Sequence, residues 1–164
     1  MKQNQRHPFV PIYNKDSAIL ILGTFPSVKS RENEFYYGHP QNRFWKVLSA
    51  IYNDTIPQDI ESKKAFLLSY RIAVWDVIAS CDIEGSSDSS IQNVVPNDIL
   101  SLMEKTNIQT IYCKGKKAQA LFDRYIAKHS DLTAEVLPST SPANAAWTLE
   151  KLIEQWKIII KTTG

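Results

Sequence analysis

The 164-residue chain has only two cysteines, Cys81 and Cys113. One lies beside a polar loop and the other in an apolar run, and two thiols supply neither a disulfide framework nor a four-cysteine iron–sulfur cluster. His7, His39 and His129 lie far apart without paired-ligand spacing, so neither a metal nor any other cofactor is expected. No run of about 20 apolar residues is present, which argues against a membrane span. The opening stretch MKQNQRHPFVP has no apolar centre of the signal-peptide kind, and cytoplasmic residence is the expectation. There is no GxGxxG and no GKS or GKT loop, which disfavours a nucleotide-binding protein of those types. The formal net charge of +2 is too small to announce a nucleic-acid partner, although a fold can gather charges that the sequence scatters.

The length suits one domain spanning 1–164, and 43% hydrophobic with 22% charged residues is ordinary for a globular chain. No repeat is visible, and the serine-rich piece 85–90 is too short for a linker. Four apolar runs read as strands covered on both faces: Ala18–Gly23, Ile72–Asp76, Gln109–Cys113 and Ala134–Leu137. Helical spacing links Phe44, Trp45, Leu48, Ile51 and Tyr52, and also Ala118, Leu121, Phe122 and Tyr125. Asp59 or Ser62 is placed to cap a helix through Tyr70, and Asn97 one through Lys105. A last helix carries Trp147, Leu149, Leu152, Ile153, Trp156 and Ile160. Strands alternating with helices predict a parallel sheet with right-handed crossovers and helices on both faces. A ligand then belongs beyond the carboxyl ends of the strands.

The residues that follow each strand are therefore the candidates. Gly23-Thr24-Phe25-Pro26-Ser27 follows the first, with Gly23 free to approach a ligand and Pro26 stiffening the turn. A long aromatic loop leads on through Phe35, Tyr36, Tyr37, Gly38, His39, Pro40 and Gln41 to Asn42. It reads either as a functional stacking loop or as a rigid aromatic cluster. Asn42 suits a helix cap, which spacing alone favours, or a holder of water or sugar. Asp76 ends an apolar run, where a carboxylate is costly unless paired or functional. The polar stretch 82–90 is a solvated loop or part of the same mouth. Lys114-Gly115-Lys116-Lys117 opens a helix, an ordinary turn or a weak phosphate site. Pro138-Ser139-Thr140-Ser141-Pro142-Ala143-Asn144 follows the last strand. Ser141 with Pro142 suits a helix start, and three consecutive hydroxyls suit a phosphate clamp.

GTFPS after the first strand, then YYGHPQNRFW, then LPSTSPANA after the last, together resemble the uracil-DNA glycosylase superfamily. The hypoxanthine (deoxyinosine) branch is the most similar, and the resemblance runs from about Phe9 to Trp156. It implies a four-stranded parallel sheet in a three-layer α/β/α sandwich, base flipping into a pocket at the strand ends, and a loop over 137–145 that pinches DNA phosphates. Several branches carry an Asp or Asn in the first motif, whereas this chain has Gly23-Thr24-Phe25. The resemblance then points to Asn42 for water positioning, with Thr24 as a second catalytic candidate, and to the first motif, with Phe25, for base stacking. Gly23 and Tyr37 are expected to line the base, and Asp76, from its place at a strand end, either to accept a hydrogen bond from the base edge or to serve as a cap or salt bridge. The resemblance assigns DNA contacts to Ser139, Thr140, Ser141, Pro142 and Asn144. The implied protein is a monomeric, monofunctional glycosylase acting on double-stranded DNA with a deaminated base. A mismatch-type uracil or thymine glycosylase, and a silent DNA-binding member of the same fold, are the alternatives.

Overall fold

In the computed structural model, residues 3–7, 9–26, 35–38, 41–85 and 88–163 are described. Seven strands and six α-helices are formed among them. The strands are β1 (Gln3–Arg6), β2 (Ile19–Gly23), β3 (Ile72–Asp76), β4 (Ile78–Ile83), β5 (Gln92–Pro96), β6 (Thr110–Lys114) and β7 (Glu135–Leu137). The helices are α1 (Phe44–Ile51), α2 (Ile60–Ser69), α3 (Ile99–Glu104), α4 (Gly115–Tyr125), α5 (Leu149–Trp156) and α6 (Ile158–Thr163).

The four expected runs pair as a parallel sheet in the order β3-β2-β6-β7, with Glu135 and Val136 of the edge strand β7 exposed. Side chains alternate across β2. Ile19 and Ile21 join Phe44, Leu48, Leu67, Leu152 and Trp156 on one face. Leu20 and Leu22 join Ile99, Leu102, Ala118 and Phe122 on the other. Both faces of β2 are thus covered, which is why it reads as an unbroken apolar run. The result is the three-layer α/β/α sandwich. No helix among the described residues is long and apolar enough to cross a membrane.

Three expectations are corrected. The cap of α3 is Asp98, whose side chain accepts from Ser101 N–H. Asn97 instead donates through Nδ2 to the carbonyls of Asp76 and Ile78, bracing the end of β3. Ser141 and Pro142 do not start a helix: α5 begins at Leu149, capped by Thr148. The chain between makes two successive turns, Asn144 N–H to Ser141 C=O and Trp147 N–H to Asn144 C=O. The expected last helix is also interrupted at Lys157, so that α5 and α6 are separate.

A second, antiparallel sheet of order β1-β4-β5 was not expected. It takes in only the start of the polar stretch 82–90: Asp82 lies in β4 and accepts hydrogen bonds from Asn4 and Asn93. Only Val77 separates β3 from β4, so this sheet begins where Asp76 ends.

Candidate active site at the strand ends

Gly23 and Asp76 lie side by side in register at the carboxyl ends of β2 and β3. A methyl group on Gly23 would sit 2.3 Å from Asp76 Oδ1 and 3.4 Å from the Tyr37 hydroxyl oxygen. Gly23 is therefore required by space: its missing side chain leaves room for the carboxylate. Asp76 is 3% exposed, and Oδ1 makes no hydrogen bond among the described residues. Its other oxygen, Oδ2, accepts from His7 Nε2 at 2.7 Å. Sequence reasoning missed His7, because 69 positions separate the two partners.

Aromatic rings wall this carboxylate. Tyr37 adopts a left-handed φ of 55°, rare for a bulky side chain. It is held by stacking on Phe44 at 3.9 Å and by Lys114 Nζ 4.2 Å above the ring. The Tyr37 hydroxyl is buried without a hydrogen-bond partner. Burial, and secondarily the Asp76 charge, hold its pKa well above the usual tyrosine value, so it remains a proton donor. Tyr36 is pushed the same way, chiefly by burial and then by Asp76, and donates to Val10 C=O. Phe25 packs edge-on against His7 at 5.9 Å. The carbonyls of Gly23 and Thr24 accept from Val77 and Ile78 N–H, which fixes the turn before Phe25.

Asn42 joins this cluster to the last loop. Its Oδ1 accepts from Phe44 N–H at 2.9 Å and from Thr140 Oγ1 at 2.8 Å. Two donors on one atom fix the amide orientation and leave the Nδ2 group to face outward. Asn42 thus satisfies the start of α1 and presents a donor at once. His39, Pro40 and Ser27 lie outside the described residues.

The 139–147 loop is braced from within. Arg43 donates to the carbonyls of Thr140, Ser141, Asn144 and Trp147. These carbonyls are committed to a guanidinium rather than to a helix ladder, which accounts for the displaced helix start. Asn144 Nδ2 donates to Ser139 C=O, Ser139 Oγ accepts from Ser141 N–H, and Ser141 Oγ accepts from Ala143 N–H. Trp156 Nε1 donates to Pro138 C=O. Thr140 is fully buried, and its hydroxyl faces Asn42 rather than the surface where a phosphate would lie. Ser139, Ser141 and Asn144 line a concavity of about 650 Å³ together with Lys116 and Trp147. Among the described residues no three His, Cys, Asp or Glu side chains converge as metal ligands.

A buried carboxylate, aromatic walls and a stiffened serine loop thus gather at the carboxyl ends of the strands, where an α/β sandwich places its ligand site. A model of the uracil DNA glycosylase superfamily matches residues 10–160. The chain belongs to that superfamily. It is 30% identical over 155 residues to a hypoxanthine DNA glycosylase of Methanosarcina acetivorans, covering 93% of this chain and 96% of the relative. A hypoxanthine DNA glycosylase of Methanosarcina barkeri is 28% identical over 142 residues, covering 85% and 89%. A solution NMR structure from Methanosarcina acetivorans, provisionally described as a uracil DNA glycosylase, superimposes with a TM-score of 0.82 at 29% identity. That likeness covers 98% of this chain and 99% of the other.

Proposed function

We propose that this glycosylase releases hypoxanthine from deoxyinosine in double-stranded DNA by hydrolysis, acting as a monomer with water as nucleophile. The observation that carries this reading is the pair at Gly23: a fixed carboxylate acceptor, Asp76 Oδ1, beside an unpartnered Tyr37 hydroxyl. Hypoxanthine offers a matching lactam, N1–H to Asp76 and the C6 carbonyl to Tyr37. Adenine offers a lone pair at N1, which would face the carboxylate and leave its acceptor unpaired. The relatives named for hypoxanthine support the same assignment.

Phe25 stacks on the extruded base, a contact worth about 1–3 kcal/mol by comparison with other base–aromatic stacks. Extrusion is easier for a mispaired base, so damage is partly self-selecting. Amides at Thr24 and Phe25 receive charge developing on the departing base. The C1′–N9 bond breaks with its electrons going to the base, and the sugar passes through an oxocarbenium-like state. Asn42 Nδ2 donates to the water oxygen and holds it beside C1′; an amide is no base near neutral pH, so its effect is orientation. Water adds to C1′ and its proton passes to solvent, while the base is protonated. Ser139, Ser141, Pro142 and Asn144 form the rim that meets the DNA backbone, while Thr140 acts from behind by holding Asn42.

Uracil presents the same donor–acceptor order in its N3–H and C4 carbonyl, so excision of uracil from mismatches is the second reading. Duplexes carrying a single inosine, uracil, xanthine or mispaired thymine, assayed for base release in single turnovers, test both. Fastest release from inosine, with no covalent adduct trapped by borohydride, is the expected result. Fastest release from uracil or thymine would transfer the assignment to the second reading, and binding without release on every duplex would leave a silent DNA-binding protein.

A further inference from the structure

We infer that His7 is a positioning residue for base selection, holding both the carboxylate and the stacking ring of the pocket. This rests on the assignment of Asp76 and Phe25 to the extruded base. His7 follows β1, and its backbone N–H donates to Ala79 C=O on β4. The small sheet thereby delivers the imidazole to the end of β3. The His7 and Asp76 side chains are 4% and 5% exposed, so their 2.7 Å contact is shielded from water. His7 Nδ1 lies 2.8 Å from Phe9 C=O and 3.1 Å from Phe9 N, so the ring is fixed at both nitrogens. Its faces and edges meet Phe25, Phe9 and Tyr36 at 5.6–5.9 Å.

Two consequences follow from this placement. His7 occupies Oδ2, and so directs the remaining acceptor, Oδ1, toward the space above Gly23. His7 also supports Phe25 edge-on, which sets the plane against which a base would stack. Without the imidazole, Asp76 would be a buried carboxylate without a hydrogen bond among the described residues. It would then turn toward another donor, and Oδ1 would no longer be held above Gly23. The acceptor that separates hypoxanthine from adenine would lose its direction, so discrimination, rather than bond breaking as such, is what His7 controls.

The test compares the wild type, His7→Ala and His7→Gln, the last restoring a donor of similar reach. Binding is measured to duplexes containing uncleavable 2′-fluoro-deoxyinosine or 2′-fluoro-deoxyadenosine, and excision to the cleavable inosine duplex. The expected result is that His7→Ala loses preference for the inosine analogue by about tenfold or more, and that His7→Gln recovers part of it. Thermal melting of each variant registers any general loss of stability. Equal weakening toward both analogues, or unchanged preference, would overturn the role of His7. The binding arm is read even if the wild type excises nothing. A selective but inactive wild type whose preference depends on His7 would sink the hydrolytic reading alone and leave this inference standing.

Discussion

A single amide decides between two readings of Asn42. Its oxygen is consumed by Phe44 N–H and the Thr140 hydroxyl, so only Nδ2 is left for water. Asn42→Ala should therefore lower the single-turnover rate by roughly 100-fold or more. A loss confined to about 1 kcal/mol of stability would show that Asn42 is merely a cap. Thr140→Val probes the same atom from behind. It keeps the buried volume and removes one of the two bonds that orient the amide. The rate should fall about tenfold while the affinity for duplex DNA stays unchanged, because the Thr140 hydroxyl faces inward. A weakened affinity would instead return Thr140 to the phosphate clamp that its place in the Ser139–Ser141 run suggests. Gly23→Ala places a methyl 2.3 Å from Asp76 Oδ1 and must displace the carboxylate. It should cost about 1–3 kcal/mol of stability and blunt selection between inosine and adenine, both measurable on the same purified variant. Asp76 was legible in the sequence because a carboxylate ending an apolar run is anomalous. His7 was not, because its burial depends on a strand pairing that brings residues 3–6 alongside 80–83.

At the scale of elements, β2, β3 and β6 were legible because burial on both faces leaves continuous apolar runs, whereas the edge strand β7, with Glu135 and Val136 exposed, showed only a short one. The small sheet was not, since β1 reads QNQR and β5 is largely exposed, with neither the alternation nor the apolar content that marks a strand. The helix expected at Pro142 failed for a different reason. Pro142 and Ser141 satisfy the local start rule, but Arg43, about a hundred positions away, binds the carbonyls of Ser141, Asn144 and Trp147. Tertiary hydrogen bonds outweigh a local propensity of about 1 kcal/mol when several charge-assisted bonds, each worth about 1.5–3 kcal/mol, compete with it. Arg43 is thus a staple between α1 and the 139–147 loop, following directly on Asn42. Arg43→Lys keeps the charge but cannot span these carbonyls with a planar fork. It should destabilise the fold by about 2 kcal/mol and weaken binding to duplex DNA. Unchanged binding alongside lowered melting would mean that the loop keeps its shape by its own internal bonds.

For the molecule as a whole, the question is whether the two sheets open together. Cys81 on β4 and Cys113 on β6 are buried thiols within one apolar cluster that joins the small sheet to the main one. Burial, with a lesser push from the Asp123 charge, raises the Cys113 thiol from 9.0 to about 12. Folding therefore keeps this group protonated where the unfolded chain would ionise it. Its contribution to stability is complete below pH 9 and is lost as pH rises from about 9 toward 12, so denaturant midpoints should fall across that window. In the folded state near pH 8 neither buried thiol is accessible to a bulky disulfide reagent, and labelling must wait for opening. A shared cluster predicts that both cysteines label at one rate, which tracks global unfolding as denaturant is added. Faster labelling of Cys81 would show that the small sheet opens by itself. That outcome would reach the candidate site, because β1 and β4 carry His7 to Asp76, and a sheet that frays independently would leave the buried carboxylate intermittently without its partner.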